Sequence, residues 1–270
     1  MINRRRIWAL MRKDWQELSH NGQAAAPLII VPLLFVVVLP VAVILLGDNT
    51  LLTSSIGGLQ GFINHLPTGL VPADLSTQQA VVYAVLVYFM APIFLIIPVM
   101  VSSITAASSF VGEKERRTIE GLLYTPVTDR ELVLAKILVS VVPSVGLAWI
   151  SFLIYTGIVD LLAGPRLGGI LFPTSTWIVI VVALVPLVGF LATCLIVAVS
   201  GRSKTMQDAQ TASVLVILPV LALVVSQATG LLLFNTSVAL VASGALLVID
   251  VAVFVAVVGR FRRERIVTLL

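Results

Sequence analysis

Long uncharged stretches broken by short charged clusters set the pattern of this chain. The stretches fall at Ala26–Leu46, Val81–Val111, Leu134–Leu161, Trp177–Ser200, Ser213–Gln227 and Val238–Gly259. Most are apolar on every face, and a hydrocarbon core about 30 Å thick asks about 20 such residues of a helix. The last two belong to one uncharged run, Ala209–Ile249, of 41 residues. That is too long for one crossing and long enough for two, and "QATGLLLFNTS" supplies Gly and Asn turn residues between them. The fifth stretch is short, so a half-crossing followed by a re-entrant or interfacial piece stays open beside a full span. The pattern predicts an all-α polytopic membrane protein with six transmembrane helices. It divides into a cytoplasmic amphipathic interface helix (1–22) and a six-span transmembrane domain (23–270).

Composition agrees. Hydrophobic residues make up 59% of the chain and charged residues 11%, against about 25% charged in soluble domains. The net charge of +4 reports topology rather than nucleic-acid affinity, because Lys and Arg collect on the cytoplasmic side of membrane proteins. With six spans, sixteen of the seventeen basic residues fall on one side and Arg166 alone on the other. Both termini are then cytoplasmic, which requires an even number of crossings and supports dividing the 41-residue run. The basic start "MINRRR" precedes the first apolar run by some twenty residues, and no small-residue cleavage pattern directly follows that run. The first span is expected to be retained. In the outer loop, Ile56, Leu59, Ile63 and Leu66 recur at helical spacing, predicting a short helix on the membrane surface.

Charge concentrates in one connection. "GEKERRTIEGLLYTPVTDRE", Gly112–Glu131, holds nine of the thirty charged residues. On a helical wheel Val111, Ile119, Leu122 and Leu123 share one arc, and Glu113, Arg117, Glu120 and Tyr124 line the opposite one. Glu113–Arg117 and Arg116–Glu120 are acid–base pairs four apart. The second span therefore continues past the membrane as an amphipathic helix. Thr125–Pro126 ends it, and Thr128 with Glu131 forms a capping box that opens the next helix. Glu115 lies within the apolar arc, where a carboxylate needs a basic partner. A solvated connector would explain the charge but not Glu115. At the N-terminus Ile7, Leu10, Met11, Trp15 and Leu18 form an apolar stripe, with Trp8 and Trp15 at headgroup level. Asp14 falls inside that stripe, beside Lys13. A lipid anchor would explain the stripe and the arginines but not Asp14.

"EKERRTIEGLLYTPVTDRELVLAKIL" closely resembles the "EKERGTLEALLATPVSRREILLGK" type of segment in permeases of the type-2 ATP-binding-cassette transporter superfamily. "RKDWQEL" before the first span and the six-span layout extend the resemblance loosely over the whole chain. It implies that the elbow is a coupling segment docking in a groove of a separate ATPase subunit, with the N-terminal helix (Lys13, Asp14, Trp15) as interface helix. Carried across, Glu113, Glu115, Arg116, Thr118 and Glu120 are the contact and hinge positions. Arg117 stands where the family more often has glycine, which stiffens the helix here. The resemblance further implies an ATP-driven exporter in a bacterial or archaeal plasma membrane, with a second permease copy or homologue beside it. Its cargo would be a hydrophobic or amphipathic compound, a drug, a lipid-like molecule or sodium.

The sequence has no GxxxxGK[ST] motif, and "SGRSKT" lacks the spacing. ATP and Mg are therefore expected on the partner ATPase, with no cofactor, metal site or catalytic constellation in this chain. Asp250 is the one carboxylate deep in a span, ten residues before Arg260, and an intramembrane acid is a candidate substrate or ion site. It also supports an alternative, a secondary carrier driven by an ion gradient. Tyr88, Met90, Val216 and Leu218, near the middle of the second and fifth spans, are candidate pathway-lining residues. Prolines interrupt most spans, inviting kinks.

Overall fold

In the computed structural model, residues 8–9, 11–13, 15–16, 22–47, 72, 74–112, 129–200, 203, 205–229 and 234–260 are described. Six helices among them are long and apolar enough to cross a membrane: α1 (Ala26–Leu46), α2 (Thr77–Gly112), α3 (Glu131–Leu162), α4 (Ser175–Ser200), α5 (Met206–Ala228) and α6 (Thr236–Gly259). No strand occurs among the described residues, so the all-α, six-span architecture read from the uncharged runs is the one observed. The surface-helix expectation over Ile56–Leu66 lies outside the described residues.

α5 starts earlier than the uncharged run suggests. Thr205 caps it, accepting from the Asp208 amide while the Asp208 carboxylate accepts from the Thr205 amide. The charge that seemed to bound the span is thus consumed in closing a helix end. A short 3₁₀ turn at Thr211–Ser213 then passes into Val214–Ala228, giving 23 residues in all, enough for a full crossing.

α2 is the central helix. It packs against α1, α3, α4 and α5, and 67% of its most apolar window is buried, against 17% for α6. Membrane helices gain little from hydrophobic association and pack instead through small residues and short hydrogen bonds. The α2–α3 seam follows that rule: Ser102, Thr105, Ser109, Ser140 and Ser144 are all buried, and Thr105 Oγ1 lies 3.5 Å from the Ser140 carbonyl. Ser144 Oγ donates to the Pro98 carbonyl at 2.9 Å. α4 joins the same point through Gly189, where an added Cβ would lie 3.0 Å from Ser144 Oγ. Gly189→Leu should push Ser144 off Pro98 and cost about 2 kcal/mol through overpacking. A thermal midpoint in detergent equal to wild type would show slack at this crossing.

α6 lies at the periphery along α4. Ala239, Ser243, Asp250 and Val257 are its buried residues, recurring at intervals of four and seven along one stripe, while Val241, Val248 and Val255 face outward. Thr236 at its start hydrogen-bonds the hydroxyls of Ser175 and Thr176 on α4.

Three spans contain a π-helical turn just before a proline: Leu34–Val38 before Pro40, Val85–Phe89 before Pro92, and Ile180–Leu184 before Pro186. Proline cannot donate to the carbonyl four residues back, and its ring crowds that carbonyl. Those carbonyls belong to Val36, Tyr88 and Val182, each inside a π-turn. Widening the turn relieves the crowding.

Polar contacts fasten the opposite ends of the spans, near Arg166 and Asp160. Arg166 donates to the Ile44 carbonyl at the end of α1, and its own carbonyl accepts from Gln79 Nε2 on α2 at 2.7 Å. Asp160 Oδ1 accepts from the amides of Leu171 and Phe172, fixing the turn between α3 and α4.

Candidate functional site

The Val85–Phe89 π-turn of α2 is held by three other helices. Three successive carbonyls there each accept from a side chain on a different helix. Tyr155 Oη of α3 donates to Leu86 at 2.8 Å, Trp177 Nε1 of α4 to Val87 at 2.7 Å, and Gln227 Nε2 of α5 to Tyr88 at 3.3 Å. The Tyr88 carbonyl is the one that Pro92 leaves without its α-helical donor, so Gln227 supplies a replacement from outside. All three donors are fully or almost fully buried. A backbone polar group facing hydrocarbon would be costly, and here each is met. Gln227 Oε1 has no hydrogen-bond partner among the described residues. Tyr155 and Trp177 stack at 5.0 Å between ring centroids, joining the clamp to an aromatic cluster.

The pathway candidates divide around this clamp. Tyr88 is half-buried with its ring 6.3 Å from that of Tyr83, and Met90 is buried. Val216 is buried on α5, which packs against the Met90–Phe94 segment. Leu218 stands apart from them on the outward face of α5, 55% exposed.

Asp250 is 2% exposed. Its stripe faces α4, the Cys194 thiol lies within electrostatic reach, and neither carboxylate oxygen has a hydrogen-bond partner among the described residues. Asp250→Asn should leave the chain folded, with a thermal midpoint equal to or above wild type, since an amide replaces an ionisable group that has no donor to meet. A clear fall in the midpoint would reveal a structural role for the carboxylate.

α2 holds a second π-turn, Ser108–Gly112, whose last four residues are buried. Lys136 of α3, 4% exposed, donates through Nζ to the Ser109 carbonyl, with Ser109 Oγ 3.4 Å away, and its ammonium sits 5.1 Å from the centre of the Phe110 ring. Glu131 is buried as well. The elbow positions Glu113, Glu115, Arg116, Arg117, Thr118 and Glu120 lie outside the described residues, as does Asp14. Lys13 and Trp15 are exposed, and the described residues between 8 and 16 are helical, with Trp8 and Trp15 both outward.

Tyr155, Trp177, Gln227 and Lys136 were not singled out by sequence reasoning. The first three are polar tips within apolar stretches, and the available signal was Pro92, which marks the Tyr88 carbonyl as needing a donor. Lys136 reads as one more cytoplasmic charge until the end of α2 is placed beside it.

Six helices long and apolar enough to cross a membrane, with the stapled α2 central among them, define a polytopic helical membrane protein. The family model described as ABC-2 family transporter protein matches residues 70–249, from just before α2 to the residue before Asp250. The chain belongs to that family and is a transporter permease. No curated protein and no solved structure matches it.

Proposed function

We propose that this permease is the membrane half of an ATP-driven exporter, working as a dimer above two separate ATPase subunits. ATP and Mg bind on those subunits. Their closure moves the Gly112–Glu131 elbow, and α2 carries that motion inward. The observation that carries this reading is continuity: the charged elbow follows α2 directly in the sequence, and α2 is the most buried of the six spans, held near its other end by α3, α4 and α5. A displacement at its inner end therefore bears on most of the bundle, as a switch between inward- and outward-facing arrangements requires. The positive-inside distribution puts both termini and the elbow on the cytoplasmic side, where an ATPase is within reach. The apolar walls and half-buried tyrosines along α2 suit a hydrophobic or amphipathic cargo.

A gradient-driven carrier using Asp250 is the competing reading, and the unpartnered carboxylate favours it. Such carriers commonly place several polar groups near the midplane and show inverted repeats; this sequence shows one deep acid and no repeat. Purification under native conditions separates the two. An ATPase that co-purifies and is stimulated by the permease supports the exporter. Recovery without an ATPase, with transport that follows only a proton or sodium gradient, supports the carrier.

A further inference from the structure

Lys136 is an unusual lysine. It sits near the start of α3 with 4% of its surface exposed, where a methionine would fill similar space without the cost of desolvating a charge. Among the contacts of the ammonium is a grip on α2. It donates to the Ser109 carbonyl in the Ser108–Gly112 π-turn, approaches Ser109 Oγ, and lies over the Phe110 ring. That grip comes from the helix on the far side of the elbow. One residue beyond this turn, at Glu113, the elbow's charged run begins. From a third side Met206 of α5 closes the same turn, its Sδ 3.3 Å from where a Cβ on Gly112 would stand.

We propose that Lys136 is a positioning residue for coupling: it ties the Ser108–Gly112 turn of α2 to α3, so that the two spans flanking the elbow move as one body. Without this tie, force applied to the elbow would unwind that turn instead of displacing the helix. The inference rests on the coupling reading above for its consequence, though the tie itself does not.

The test has two arms. In the first, the permease alone in detergent is compared with Lys136→Met by hydrogen exchange. Amides of the Ser108–Gly112 turn should exchange at least tenfold faster in the variant, while those of the Val85–Phe89 turn stay unchanged. In the second, wild type, Lys136→Met and Lys136→Arg are each reconstituted with the co-purifying ATPase. Lys136→Met should bind it within about threefold of wild type but stimulate it less than a tenth as much, and Lys136→Arg should restore at least half of the stimulation. A purely structural lysine would lower yield without separating binding from stimulation. Unchanged exchange in the first arm overturns the proposal. So does full stimulation by Lys136→Met, or an arginine variant as defective as the methionine one. If wild type engages no ATPase while the exchange difference stands, it is the coupling reading that fails, and the coupling role with it. Should Lys136→Met fail to fold, Lys136→Gln takes its place in both arms under the same criteria.

Discussion

Glu115→Ala should leave the permease inserted and folded while reducing stimulation of its ATPase to near the basal rate. On the helical wheel expected from the sequence, Glu115 shares an arc with Val111, Ile119, Leu122 and Leu123, the apolar side on which an ATPase would dock. A carboxylate on such an arc is stable when a basic group on the covering surface meets it, and truncating one partner of a buried charge pair typically costs about 2 to 5 kcal/mol. The loss should therefore be at least tenfold in ATPase affinity or in stimulated rate. Glu113→Ala, on the opposite arc, should cost less than threefold. Measuring both in reconstituted complexes gives the contrast its force: equal effects would mean the arc is not the docking face, and no effect from either would remove the elbow from coupling altogether.

Trp177→Ala should be the most destabilising single substitution in the bundle. The indole is 0% exposed. It is stacked between Phe152 and Tyr155, with centroids at 5.8 and 5.0 Å, and has Phe94 and Phe172 edge-on at 5.4 and 5.3 Å. Removing it opens a large cavity, worth on the order of 3 kcal/mol or more, and strips the Val87 carbonyl of its donor. Trp177→Phe keeps most of the ring packing and loses the hydrogen bond, so it should cost about 1 kcal/mol. Unfolding in mixed micelles reads both. A tryptophan-to-alanine change no more costly than tryptophan-to-phenylalanine would show that the ring fills no essential space.

The six helices were legible because the bilayer imposes a length and an apolar character that any chain crossing it must display. The polar staples were not. Tyr155, Trp177 and Gln227 appear in the sequence as isolated polar tips, and nothing local says that they converge on Leu86, Val87 and Tyr88, which lie 69, 90 and 139 residues away respectively. The prolines were visible but suggested kinks, whereas Pro40, Pro92 and Pro186 follow widened turns. Asp208 misled in the other direction, because a charge that would bar a span from the core is welcome in a helix cap. Asp250 could be read directly, since a carboxylate ten residues inside an apolar helix is conspicuous wherever it points. The proposed coupling positions rest on a resemblance carried by contiguous residues, and they lie outside the described residues.

A widened turn inside α2 also changes how that helix must be mapped by mutagenesis. It inserts about one extra residue, which sets everything beyond it back by about 100° relative to an ideal wheel. α2 therefore shows two differently phased sectors, divided at Val85–Phe89. A cysteine-accessibility scan plotted on one wheel would scatter around the whole circle, whereas the same data plotted sector by sector should resolve into a single continuous ribbon.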